Sequence, residues 1–105
     1  MKVVFHIDEL NKWEMTESNI SNLLALRPDI KIRVVVNGLA ISGYLLDKNA
    51  DFVNQHPSVT FQACSNAMNN HNIKAEQLPL RTKIVPSGVL AIIEAEEAGF
   101  SYIKP

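Results

Sequence analysis

Two short segments of this chain carry apolar residues almost back to back: Val3, Val4, Phe5 and Ile7, then Ile32, Val34, Val35 and Val36. A strand with one wet face alternates apolar and polar residues, whereas consecutive β-branched and aromatic residues suggest a strand covered on both faces. A third run, Val59, Phe61 and Ala63, places its apolar residues on one face and ends at Cys64. The segment IVPSG supplies a very short fourth strand, and SYIK a fifth.

Between these runs the period changes. After Trp13, Ile20, Leu23 and Leu24 lie three or four apart, the spacing of a helix, with Asn11 or Thr16 as its cap and Pro28 as its stop. Asn37-Gly38 alone would mark a hairpin, but the LAISGYLL that follows alternates weakly, so the pair reads as a strand-to-helix turn. KNADFVNQHP reads as a short helical turn closed by Pro57, and Ala67, Met68 and His71 allow a helix after Cys64. KAEQLPLRTK reads as a loop or short turn. The clearest helix is VLAIIEAEEAGF, where Val89, Ile92, Ile93 and Glu96 or Glu97 fall at helical spacing and Gly99 occupies a C-cap position.

Strand and helix therefore alternate from end to end, closing on a strand. Right-handed crossovers then give an α/β fold with a predominantly parallel sheet of about five strands and helices on both faces. The 105 residues suit one domain spanning 1–105, and a chain of this size buries about 65% of its unfolded surface. An apolar share of 47%, four glycines and five prolines exclude collagen-like and disordered classes. Ten basic and eleven acidic residues leave a charge of −1, so composition offers no argument for nucleic acid or an anionic membrane as partner. The start lacks a signal-peptide core, and no apolar stretch approaches the roughly 18 residues of a membrane span. Together with a single cysteine, which excludes an intrachain disulfide, this makes the cytoplasm the expected location.

Open parallel sheets bind ligands outside the carboxyl ends of their strands. The candidates are therefore His6, Asp8 and Glu9 after the first run, Asn37 and Gly38 after the second, Cys64, Ser65 and Asn66 after the third, and Pro86, Ser87 and Gly88 after the fourth. Cys64 is the reactive atom among them. A thiol between a strand and a helix meets unpaired helix N–H groups, which favour the thiolate; free cysteine equally fills space in cores, and the residues leave both roles open. His6 reads as a base or a surface residue, Asp8 and Glu9 as catalytic groups or caps, and Met68 as core. Asn37 and Gly38 suit a strained turn, while Ser87 suits an anion donor or, more commonly, a helix cap. A triad of His6, Cys64 and a carboxylate needs a proximity that nothing in the sequence supplies. No CxxC pair, GxGxxG or GxxxxGK(S/T) motif or zinc-ligand spacing occurs, so neither cofactor nor metal is expected.

The strings KVVFHIDE, NLLAL, VVVNGLAI, VTFQACSNAM and IVPSGVLAIIEAEEAGFSYIKP together resemble the small stand-alone proteins of the DsrE/DsrF-like family over nearly the whole chain. FQACSNAM and VPSGV with EAGFSYIKP are the specific parts. The resemblance implies a three-layer α/β/α domain that assembles as a homo-oligomer, a dimer, trimer or hexamer. It also implies sulfur transfer, with Cys64 carrying sulfane sulfur as a persulfide between donor and acceptor proteins, while the strand ends themselves offer His6, Asn37, Gly38, Ser65, Asn66 and Ser87 as its pocket. Cys64 matches the cysteine of a family segment that usually reads Ala-Cys-Gly-Asn-Thr; here Ser65 stands for the glycine and Ala67 for the threonine. The alternative is a small-ligand-binding or regulatory oligomer without catalysis.

Overall fold

A computed structural model describes residues Met1 to Pro105. The strands are β1 (Lys2–Ile7), β2 (Lys31–Val36), β3 (Val59–Cys64), β4 (Lys83–Val85) and β5 (Ser101–Ile103). The helices are α1 (Trp13–Leu26), α2 (Asp47–Gln55), α3 (Ser65–Asn70) and α4 (Gly88–Glu97), with 3-10 turns at Leu10–Lys12, Gly38–Leu45 and Ala75–Gln77. All four strand pairs are parallel, in the order β4-β3-β2-β1-β5. The expected α/β/α layering with a five-stranded parallel sheet is what the chain forms. No helix is long and apolar enough to cross a membrane.

This strand order decides how the layers are filled. From β1 to β4 the chain steps steadily toward one edge, so three successive right-handed crossovers lie on one face. The return from β4 to β5 runs the other way and puts α4 alone on the opposite face. The first face carries a cluster of 21 buried residues, built from Val3, Phe5, Ile7, Val34, Phe61 and their neighbours with Trp13, Ile20, Tyr44 and Val53. The second carries five: Val4, Val35, Ala91, Ala95 and Phe100. Five strands span about 19 Å, and one helix is about 10 Å across. One helix therefore covers about two strands.

Several local expectations need correction. α1 starts at Trp13, with Asn11 in the preceding 3-10 turn; Thr16 caps nothing, because it is buried inside the helix with its hydroxyl donating to the Lys12 carbonyl at 2.8 Å. α2 is a nine-residue helix rather than a short turn. Its buried stripe pairs Val53 with a polar residue, Asn49, whose Nδ2 donates to the Gly43 carbonyl at 2.9 Å, so no apolar period was there to read. In α4 the spacing of Val89, Ile92 and Ile93 marks the helix, but of the three only Ile92 packs, partly buried, against the small cluster. The buried residues are Gly88, Ala91 and Ala95, small enough for the helix to lie close against Val4 and Val35.

Candidate functional site

Cys64 closes β3 and sits immediately before α3, with its side chain buried and making no capping hydrogen bond. Beside it the ends of β2, β3 and β4 enclose a concavity of about 250 Å³, lined by Asn37, Gly38, Cys64, Asn66, Ala67, Asn70, His71, Ser87, Gly88 and Val89. Parallel pairing is what gathers them: residues that follow three different strands meet only if all three strands end at the same edge.

Each wall has a local cause. Asn37 continues β2, its N–H donating to the Ile7 carbonyl at 3.0 Å, and Gly38 turns the chain with φ +55°, a conformation that disfavours any side chain. On α3, Asn66 and Asn70 are four residues apart and share a face. Ser87 is the N-cap of α4, its hydroxyl oxygen accepting from the Leu90 N–H at 3.2 Å. Gly88 is a close-approach position: a Cβ there would sit 3.0 Å from Asn37 Cβ and 3.1 Å from its Nδ2.

Of the sequence candidates, Asn37, Gly38, Cys64, Asn66 and Ser87 share this concavity, while His6 and Ser65 do not line it. Ser65 opens α3, and the helix turns Asn66, Ala67 and Asn70 to the concavity instead. His6 lies behind Asn37, with Nε2 2.8 Å from Asn37 Oδ1 and Nδ1 2.7 Å from the Tyr102 hydroxyl. Both ring nitrogens are thus engaged away from Cys64, which removes the triad of His6, Cys64 and a carboxylate. Asp8 and Glu9 also stand apart, their carboxylates 2.9 and 3.9 Å from Lys104 Nζ. The hydrogen bond from Lys104 holds the Asp8 carboxyl below its usual range, outweighing partial desolvation, with further help from the charges of Lys104 and His6. Burial raises the Tyr102 phenol above its ordinary value, so it is protonated near neutral pH. No group of three or more His, Cys, Asp or Glu side chains is placed to hold a metal ion.

Sequence reasoning missed Asn70, His71, Val89 and Tyr102. Asn70 had a signal, its four-residue spacing from Asn66. Tyr102 had none, since it reaches His6 only because β5 pairs with β1, bringing Tyr102 opposite Val4.

The fold can be compared with solved structures. Over 99% of its length the chain matches 98% of MTH1491 from Methanobacterium thermoautotrophicum, described as a protein of unknown function, with a TM-score of 0.90 and 29% identity. It also matches the ychN protein of E. coli over 100% of its own length and 99% of that chain, with a TM-score of 0.77 and 10% identity. The chain has a DsrE-like fold. No family model matches the sequence, and no curated protein does.

Proposed function

We propose that this chain is a single-domain sulfur-relay protein of the DsrE/DsrF-like family that carries sulfane sulfur on Cys64. The observation that carries the reading is the place of its one cysteine, in a concavity at the carboxyl edge of the sheet that no carboxylate lines. A Cys64 thiolate attacks the outer sulfur of a sulfane donor, the donor's S–S bond breaks, and its electron pair leaves with the donor fragment. The new Cys64 persulfide is an anion, stabilised by nearby N–H and O–H donors. A partner's thiolate then takes the terminal sulfur and returns Cys64 as thiolate, so one cysteine per chain suffices.

Thiosulfate is a suitable probe. The expected result is one added sulfur mass at Cys64, lost again to an acceptor thiol, and absent in Cys64→Ser with the fold retained. A thiol that alkylates yet never takes sulfur overturns the reading. It would favour the second reading, a ligand-binding protein, which draws on the enclosure of Cys64 at only 6% exposure. We further propose that copies of the chain assemble, because Val89, Leu90 and Ile93 are 61%, 47% and 48% exposed on the outer side of α4. Sedimentation of the same preparation should then exceed the 11.7 kDa of one chain.

A further inference from the structure

Behind the concavity the side chains of Tyr102, His6 and Asn37 form a hydrogen-bonded row, contributed by β5, β1 and the end of β2. Its directions follow from one chemical fact. A carboxamide oxygen has no proton to give, so the 2.8 Å contact between Asn37 Oδ1 and His6 Nε2 requires the proton on Nε2. In the neutral ring Nδ1 then carries the lone pair, and the Tyr102 hydroxyl at 2.7 Å donates to it.

The consequence lies at the far end of the row. With Oδ1 already accepting from His6, the NH₂ group is the part of Asn37 that no hydrogen bond engages, and it rests against Gly88 at the rim of the concavity. Ser87 is in a similar state, because its oxygen already accepts from Leu90 while its proton is still free to give.

We propose that Tyr102 and His6 are positioning residues that fix the Asn37 carboxamide with its NH₂ toward the Cys64 concavity, making the site one for hydrogen-bond-accepting, anionic ligands. The proposal rests on the sulfur-carrier reading only for what that ligand is: an anionic sulfur donor and the persulfide it leaves. Gly88 belongs to the device, since a methyl group there would displace the carboxamide that His6 holds in place.

Two measurements test it on the intact chain. Long-range ¹⁵N correlations of the neutral His6 ring should show the Nε2–H tautomer. In Tyr102→Phe the donor to Nδ1 is lost, the ring proton is free to move there, and the carboxamide is free to turn over. The ratio of Cys64 alkylation by iodoacetate to that by iodoacetamide should then fall about fivefold, the worth of roughly one hydrogen bond; Asn37→Asp should lower it further. Because the ratio compares an anionic with a neutral reagent at the same sulfur, a general loosening of the site would not move it. Tyr102 is 39% exposed, so removal of its hydroxyl leaves the fold standing. An Nδ1–H tautomer in the wild type, or an unchanged ratio in both variants, overturns the proposal. A falling ratio in a protein that never takes sulfur from thiosulfate keeps the positioning role and removes the sulfur-carrier reading; a persulfide with an unchanged ratio does the reverse.

Discussion

The two faces of the sheet are built from alternate residues of the same strands, yet they differ sharply in content. Toward α1, α2 and α3 the strands present Val3, Phe5, Ile7, Ile32, Val34, Val36, Val59, Phe61 and Ala63, all buried. Toward α4 only Val4 and Val35 are comparable, and around them Lys2, His6, Arg33, Thr60 and Gln62 are half-buried. The cause is coverage: where α4 ends, water or a polar partner must take over, and apolar residues there would have nothing to pack against. The thin face can therefore hold the polar row behind Asn37, which the thick face could accommodate only with every polar group fully satisfied. Arg33 follows the same logic, its guanidinium lying 4.2 Å over the ring of Phe100 and so shielding an apolar edge while staying wet.

The largest effects should separate the faces by stability. Phe5 is 1% exposed in the large cluster, and Phe5→Ala should cost about 3–5 kcal/mol. Phe100, 8% exposed in the cluster of five, can be replaced in a site that water and neighbouring side chains partly refill; Phe100→Ala should cost no more than about 3 kcal/mol. Urea unfolding of both variants gives the comparison, and equal losses would break it.

A middle-sized effect sharpens it through glycine. A Cβ at Gly43 would overlap the Trp13 indole at Nε1, and that ring is buried edge-on to Tyr44, donating to the Ala40 carbonyl at 2.9 Å. Trp13 has nowhere to move, so Gly43→Ala should destabilise by about 1–3 kcal/mol or more. The 3.0 Å approach at Gly88 is milder, and helix propensity gained at the start of α4 offsets part of it. Gly88→Ala should stay within about 1 kcal/mol of wild type while changing the reactivity of Cys64. A Gly88 variant as unstable as the Gly43 one would show that both faces are equally rigid.

The smallest expected effect is electrostatic and sits at the rim of the thin face. The folded Asp8 pKa lies below the ordinary aspartate range, chiefly through the Lys104 hydrogen bond. An acid with a depressed folded pKa stabilises fully above the unfolded value, and that contribution disappears as pH falls through the folded one. Thermal unfolding in the window below about pH 4 should accordingly fall off less steeply for Asp8→Asn than for wild type. Both partners are well exposed, so the difference near neutral pH should be slight.

Much of this organisation was legible in the amino-acid order. The two-sided runs at β1 and β2 and the alternation in β3 record which strands α4 covers, because a strand needs apolar residues on a face only where something dry lies over it. Gly38, Ser87 and Gly99 mark turn, cap and helix end by local backbone chemistry that acts over a few residues. That Cys64, Asn37, Asn66 and Ser87 share one concavity was legible because parallel strands must end at one edge. The α2 helix was legible only as a short helical turn, since its buried anchor is Asn49, and a polar residue reads as buried only when its partner, the Gly43 carbonyl, is seen. The packed side of α4 escaped for the opposite reason: Gly88, Ala91 and Ala95 carry little apolar signal, and closeness of approach is a property of two surfaces, not of one segment. Strand order lay wholly beyond the sequence, because every parallel arrangement of these strands satisfies the same local pattern. It is that order, with β5 beside β1, that sets Tyr102 against His6 and makes a row of three side chains whose numbers lie as far apart as 6 and 102.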